Sequence, residues 1–312
     1  MKVAFLFPGQ GAQYIGMGKE LYDNFDIVKS IFNKGNAILK EDLTEIIFNG
    51  TEDDIKKTEN TQPAILMVST AISELLKQKG IIPSMAAGLS LGEYSALVAS
   101  GVISFEDALP LVRKRGQLMQ RAVPAGKGTM AAILGLDAEQ LKMCCKNASD
   151  AGVVEIANFN CPGQLVISGE VPGVEKACIL AKEAGAKRTL MLQVSGPFHS
   201  SLLKPAGDML AIELATIKMN DPKFPVISNV EALPVRDTKH VKELLIGQVS
   251  HSVRWEDSIR YMLSMGIDSF IEIGPGKVLS GFIKKIDKEA KVFNIEDITS
   301  LEAALSGLEG LK

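Results

Sequence analysis

The sequence predicts an α/β protein built on a parallel sheet covered on both faces, with a smaller βαββαβ unit inserted into it. Three observations carry this. Short apolar strands alternate with helical periods in the first and last thirds of the chain. The order changes after "AVPAGKG" at 122–128 and reverts near residue 194. The chain has 312 residues, enough for one large domain or two.

The elements follow in order. Lys2 to Phe7 is a strand stopped by Pro8-Gly9, with the loop "PGQGAQ" after it. Helices are expected over Lys19 to Leu39 and Leu43 to Phe48. Thr61 is expected to cap a longer helix, with Pro63 in its first turn and Gly80 closing it. "PSMAAG" reads as a buried strand, and Leu91 to Ala99 as a helix closed by Gly101. Ser104 opens the next helix, with Asp107 three residues on as its capping partner.

The inserted unit then reads as strand Thr129 to Leu134, helix Ala138 to Ala148, strands Val153 to Phe159 and Gln164 to Ser168, helix Gly173 to Ala184 and strand Lys187 to Leu192. That order is ferredoxin-like. The expected division is a small domain over 126–194 and a discontinuous large domain over 1–125 and 195–312. The first pattern resumes with a helix from Ser201 to Ile217, strand Val226 to Val230, helices Val241 to Val249 and Trp255 to Met265, and strand Ser269 to Ile273. "GPG" at 274–276 precedes another helix.

Composition narrows the function classes. Hydrophobic residues make up 46% and charged residues 23%, the balance of an ordinary soluble globule. The net charge of −3 leaves no global basic field for nucleic acid or an anionic membrane. No run approaches a membrane span and the apolar opening is too short for a signal peptide, so a cytoplasmic protein is expected. Four cysteines without C-x-x-C spacing read as reduced thiols rather than disulfides or a metal site.

Gly88-Leu89-Ser90-Leu91-Gly92 matches G-x-S-x-G between a strand and a helix. Such a turn lifts a serine hydroxyl clear of the strand ends. The helix start behind it favours developing negative charge, and the Leu91 N–H can face an oxyanion. Ser90 is therefore read as a nucleophile in preference to a simple helix cap. A serine hydroxyl needs a base. Of three histidines, His240 sits between lysines and reads as solvated, and His251 lies past a helix end. His199, after Gly-Pro-Phe at a strand-to-helix junction, is the base of choice. Asp107, Asp137 and Asp150 are the carboxylates weighed as a third member, and none fits. A Ser-His dyad oriented by a backbone carbonyl is expected.

The helix from Ser104 carries Ala108, Leu111, Val112, Met119 and Ala122 on one face, with Arg115 at its centre. A guanidinium there needs an anion, either a buried protein carboxylate or a substrate. Beside a nucleophile, its planar fork suits an acyl group that ends in a carboxylate.

Taken together, "FPGQGAQYIGMG", "GLSLGEYSAL", "RKRGQLMQ", "GPFHSSLL", "SNVEALPV" and "IEIGPGKVLSGF" resemble the malonyl-CoA:acyl carrier protein transacylases, the acyltransferase family of fatty acid and polyketide synthesis. The likeness covers essentially the whole chain. It implies an α/β-hydrolase-like large domain with a ferredoxin-like insert, and malonyl transfer from malonyl-CoA to the phosphopantetheine thiol of acyl carrier protein. It implies Ser90 as the acylated residue, His199 as base and acid, and Arg115 as the carboxylate clamp. It further implies an oxyanion hole from the N–H groups of Gln10 and Leu91, and His199 oriented by the main-chain carbonyl of Gln248. No metal or other cofactor is implied, and a monomer is expected.

In related acyltransferase domains a bulky residue before the catalytic histidine accompanies malonyl selectivity. Phe198 matches that form, and reads equally well as a core residue; rejecting one extra methyl is worth only about 1–3 kcal/mol. Two positions depart from the family's usual pattern. Leu89 stands where histidine is commonest, and Ser252, after His251, stands where proline is usual. An acidic carrier calls for a basic rim, for which Lys187, Arg188, Lys204, Lys284 and Lys285 are candidates. The rival readings are a serine hydrolase such as a thioesterase, and a non-catalytic acyl-CoA or carrier-binding module.

Overall fold

A computed structural model describes residues 2–194 and 196–309. Its centre is β1 (Val3–Phe7), an unbroken apolar run buried at every position. Such a run requires cover on both faces. Its alternate side chains divide accordingly: Val3, Phe5 and Phe7 enter the core on one face, and Ala4 and Leu6 the core on the other.

The chain then forms α1 (Lys19–Asn24), α2 (Asp26–Leu39), α3 (Leu43–Asn49), α4 (Glu52–Lys56) and α5 (Thr58–Gln78). It returns through β2 (Met85–Gly88), α6 (Leu91–Ala99) and α7 (Phe105–Arg121). The inserted stretch is β3 (Gly128–Leu134), α8 (Ala138–Ala148), β4 (Val154–Cys161), β5 (Gln164–Glu170), α9 (Val171–Glu183) and β6 (Arg188–Met191). A 3-10 turn at Ser201–Leu203 leads into α10 (Lys204–Thr216), followed by β7 (Val226–Ile227), α11 (Thr238–Gln248) and α12 (Trp255–Ser264). The chain ends with β8 (Ser269–Ile273), α13 (Val278–Ile286), β9 (Lys291–Ile295) and α14 (Ile298–Glu309).

Two sheets result. The first has the order β7-β2-β1-β8-β9 and every pairing in it is parallel. The second has the order β4-β5-β3-β6, is antiparallel throughout, and packs α8 and α9 over its own core. The two are stitched together beside the site. Phe159 N–H donates to Val253 O (2.9 Å), Val253 N–H to Ala157 O (2.8 Å), and the Ser252 hydroxyl to Ile156 O (2.6 Å). Ser252, which departs from the family pattern, thus supplies a link that proline has no donor to make.

Several expectations need correction. The helix expected over Lys19 to Leu39 is two, because Phe25 is extended (φ −130°, ψ 117°). Thr61 does not cap α5, which begins at Thr58; its hydroxyl reaches back to Ile55 O (2.6 Å). Pro63 accordingly lies beyond the first turn. Its missing N–H leaves Glu59 O free, and the Arg113 Nε–H takes it (3.4 Å). The strand expected to reach Val230 stops at Ile227, and Asn229 is turned toward the nucleophile loop. The expected caps at Gly80 (φ 75°), Gly101 (φ 81°) and Ser104 with Asp107 are present.

The β2–α6 junction depends on close backbone approach. A Cβ on Gly92 would lie 2.1 Å from Phe7 O, and one on Gly88 would lie 1.9 Å from Gly92 O. Gly281, exposed on α13, would meet nothing within 4 Å. Gly92→Ala is therefore expected to lower unfolding free energy by about 1–3 kcal/mol, whereas Gly281→Ala raises it by about 0.5–1 kcal/mol. Urea denaturation of both variants checks the contrast.

Candidate active site

Ser90 sits between β2 and α6 with φ 54° and ψ −104°. For a residue with a Cβ this conformation costs about 1–3 kcal/mol and persists only where its surroundings hold it. Asn229 supplies the hold. Its Oδ1 accepts the Ser90 N–H (2.7 Å), and its Nδ2 donates to Gly88 O (2.7 Å). One side chain thus clamps both ends of the turn.

His199 also has positive φ, 60°. Its Nε2 lies 2.8 Å from Ser90 Oγ and its Nδ1 2.8 Å from the Gln248 carbonyl oxygen. A carbonyl only accepts, so Nδ1 carries the proton and Nε2 is left to accept the serine proton. Burial pushes the imidazole pKa down to about 4. The nearby Arg115 charge adds to the fall, and backbone hydrogen bonds partly oppose it. The ring is therefore neutral at pH 7 and competent as a base.

Arg115 is 1% exposed and reaches the same point from α7. Its Nη2 donates to Ser90 Oγ (3.2 Å) and to Gln248 Oε1 (2.9 Å), and its Nη1 to Gln62 Oε1 (2.9 Å). The guanidinium lies over the Tyr94 ring, 5.3 Å from its centroid, a cation–π contact. No ion pair with a carboxylate occurs at this guanidinium among the described residues. Its neighbours Arg113 and Lys114 instead pair with Glu41 and Glu213. The sequence left open a protein carboxylate or an external anion as the partner of Arg115. The direct contacts found are neutral amide oxygens and a hydroxyl.

These groups meet in a cavity of about 250 Å³ whose lining includes Gln10, Ser90, Leu91, Arg115, Phe198 and His199. Leu91 opens α6, so its N–H has no intrahelical acceptor. Phe198 is buried and borders the cavity, as does Leu89. The small sheet contributes Met130, Asn158, Asn160 and Val166, so the cleft lies between the two sheets. Of the candidate basic residues, Lys204 lines a second cavity, of about 840 Å³, which shares His199 with the first. Lys284 donates to Lys288 O and Ala290 O, and Lys285 to Gln164 Oε1.

The other titratable candidates lie elsewhere. His240, expected to be solvated, is buried, with its ring between Arg236 and Glu231. His251 is exposed and its Nδ1 lies 2.7 Å from Gly247 O. Asp107 and Asp137 serve helix starts, and Asp150 pairs with Lys176. All four cysteines are free and buried, and burial pushes the Cys145 thiol up to about 12. Among the described residues no cluster of three or more His, Cys, Asp or Glu is placed to hold a metal. Among those residues no helix is long and apolar enough to cross a membrane.

Sequence reasoning missed Asn229, Gln62, Glu93 and the side chain of Gln248. Gln248 was expected through its carbonyl alone. Its Oε1 holds Arg115, while its Nε2 donates to Ser90 O (3.0 Å) and Glu93 Oε2 (2.6 Å). Glu93 and Asn229 stood inside motifs already singled out, "GLSLGEYSAL" and "SNVEALPV". Nothing in one sequence says that the two meet 136 residues apart, Asn229 N–H donating to Glu93 Oε2 (3.1 Å).

A serine at a strand-to-helix elbow, with a buried histidine and a buried arginine on its hydroxyl, is an arrangement suited to acyl transfer, and comparison with known proteins gives that class. Residues 4–302 match the model of the acyl transferase domain, and the chain belongs to that family. It is 50% identical over 309 residues to a malonyl CoA-acyl carrier protein transacylase of Bacillus subtilis, covering 99% of this chain and 98% of that one. A solved malonyl CoA-acyl carrier protein transacylase from Clostridium perfringens superposes with TM-score 0.97 at 47% identity, covering 100% of this chain and 98% of that one. A malonyl-transacylase solved in complex with its type II PKS acyl-carrier protein superposes with TM-score 0.96 at 42% identity, covering 98% of this chain and 100% of that one.

The depressed imidazole pKa has a kinetic consequence. Neutral His199 is needed to take the Ser90 proton, so reactivity is present above its pKa and lost as pH falls through it. The acid limb of Ser90 sulfonylation by phenylmethanesulfonyl fluoride is expected near pH 4 rather than 6.5. In Arg115→Gln one repelling charge is gone, and the limb moves up toward 6.5. Inactivation rates measured from pH 3.5 to 8 check both positions.

Proposed function

We propose that Ser90, His199 and Arg115 carry a ping-pong malonyl transfer. The chain is a transferase that moves the malonyl group of malonyl-CoA to acyl carrier protein. The observation that supports these residue roles best is the convergence on one hydroxyl. Ser90 Oγ lies 2.8 Å from an imidazole nitrogen and 3.2 Å from a guanidinium nitrogen that meets no carboxylate among the described residues.

In this reading Ser90 Oγ attacks the thioester carbonyl while His199 Nε2 takes its proton. The Gln248 carbonyl steadies the imidazolium through Nδ1–H. The N–H groups of Gln10 and Leu91 receive the oxyanion; losing one such donor typically costs about 10²–10³ in rate. His199 returns the proton to the departing thiolate of CoA. The carrier's phosphopantetheine thiol then gives its proton to His199, attacks the malonyl ester and restores Ser90. A malonyl ester on Oγ places its free carboxylate two carbons beyond the ester carbon, within reach of the Arg115 fork. That carboxylate also offsets the guanidinium charge which holds the imidazolium down, so proton transfer becomes easier when the substrate is in place. Phe198 on the cavity wall fills space that an α-methyl would need.

The finer architectural reading belongs to the same proposal. The order β4-β5-β3-β6 supports a ferredoxin-like small domain over 126–194, and the β2–Ser90–α6 elbow supports an α/β-hydrolase-like large domain over 1–125 and 195–312. Residues 1, 195 and 310–312 lie outside those described. No metal or other cofactor enters this chemistry. The same reading takes the protein as a monomer, working in the cytoplasm with a soluble carrier. The carrier-facing rim is read at Lys187, Arg188, Lys204, Lys284 and Lys285, of which Lys204 lines the cavity that shares His199 with the first.

Ser90→Ala is expected to abolish the malonyl adduct seen by intact-protein mass spectrometry; an adduct retained by the variant points to another nucleophile. Arg115→Ala is expected to slow malonyl loading by about a hundredfold or more, since two charged hydrogen bonds go at about 1.5–3 kcal/mol each. Acetyl loading, followed in parallel, falls far less; equal losses remove the clamp. Rapid CoA release from malonyl-CoA without carrier marks a hydrolase instead.

A further inference from the structure

Glu93 is a buried carboxylate on which the reaction as described makes no demand. It is 1% exposed, in the first turn of α6, and its Oε2 accepts from Asn229 N–H (3.1 Å) and Gln248 Nε2 (2.6 Å). Burying a carboxylate costs several kcal/mol unless it is well hydrogen-bonded. Its place in a helix's first turn and these two donors offset only part of that cost, and burial still pushes its pKa up to about 7. We propose that Glu93 is a positioning residue for the acyl-group clamp: its Oε2 fixes the Gln248 carboxamide in the one orientation that holds Arg115 toward Ser90.

The orientation is decided by the amide's neighbours. Arg115 Nη2 can only donate, Ser90 O can only accept, Glu93 Oε2 accepts, and a more distant acceptor, Asn229 Oδ1, lies 3.5 Å from Nε2. With Oε1 toward Arg115 and Nε2 toward the three oxygens, every contact has a donor and an acceptor. The flipped amide sets an NH₂ against the guanidinium and an oxygen against three oxygens. Nη2, the nitrogen that Gln248 Oε1 holds at 2.9 Å, is the one 3.2 Å from Ser90 Oγ. Glu93 therefore acts on the reacting side of the fork across one amide. It forms no ion pair with Arg115, so among the described residues a substrate carboxylate meets no protein carboxylate on the guanidinium. A Glu93–Arg115 contact would hold the arginine equally well and occupy the donors that the substrate needs.

This inference rests on the clamp role of Arg115, so its test measures the two separately. The readout is the ratio of malonyl to acetyl loading rates on Ser90, by intact mass, in the full-length enzyme. Glu93→Met removes the acceptor at similar volume and is expected to lower the ratio about tenfold or more, the worth of one charged hydrogen bond. Glu93→Gln, whose Oε1 can take the place of Oε2, is expected to keep the ratio within about threefold of wild type. In an Arg115→Ala background, Glu93→Met changes the ratio no further. Should the Met variant not fold, Glu93→Asp retracts the oxygen by one methylene and is expected to lower the ratio at least about threefold, part of the same bond. The proposal is overturned if Arg115→Ala lowers the ratio while Glu93→Met or Glu93→Asp leaves it at wild type, if both acyl groups slow equally, or if Glu93→Gln fails to preserve it. An unchanged ratio in Arg115→Ala itself removes the clamp, and the role of Glu93 with it.

Discussion

A guanidinium that must stay charged at the bottom of a cleft between two sheets is the constraint around which the site is organised. Arg115 lies in the middle of an apolar helix face, and burial pulls its pKa down while Tyr94 and Glu93 oppose that fall. A carboxylate in direct contact is the simplest way to stabilise such a group. The protein uses two glutamine oxygens, a hydroxyl and an aromatic face instead. These hold the fork in place without satisfying it as a carboxylate would. Its buried Nε has no hydrogen-bond partner among the described residues.

The same constraint shapes the chemistry beside it. Burial disfavours the His199 imidazolium most and the nearby cation adds to it, so the free site keeps the ring neutral. Strained backbone at Ser90 and His199 brings the two side chains together, and the strain is borne by neighbours with other duties. Asn229 clamps the elbow and also touches Glu93 through its own N–H. Gln248 orients the imidazole with its carbonyl and the guanidinium with its side chain. Removing Gln248 disturbs both His199 and Arg115, and removing Asn229 disturbs both the Ser90 turn and Glu93. That coupling separates this cluster from a set of independent contacts.

The small sheet takes part in the site as well as covering it. Met130, Asn158, Asn160 and Val166 line the cleft, and β4 is tied to the segment just beyond Gln248 by three hydrogen bonds. The Ser252 hydroxyl makes one of them, and the His199 Nδ1 contact to the Gln248 carbonyl stays at 2.8 Å. The cleft lies between the two sheets, and the small sheet faces two cores: Met130, Ala157 and Val166 join the large one, and Ala131, Ile133 and Ile167 its own.

The alternating elements, the change of pattern over β3 to β6, the turn at Ser90 and the charge of Arg115 on an apolar helix face were legible in the sequence, and His199, read as the partner of Ser90, lies 2.8 Å from its hydroxyl. Each signal is local: a period, a turn signature, a residue type against its helix face. The break at Phe25 and the true start of α5 were not, because tertiary packing and a preceding loop outweighed cap preferences. The burial of His240 was hidden for a similar reason, since flanking lysines say nothing about what packs over a ring. The sequence left open what holds the arginine, and only the tertiary structure answered, by bringing Gln62, Glu93, Asn229 and Gln248 together from four distant segments. Hydrogen-bond partners are chosen by distance in space, and spacing along one chain does not encode it.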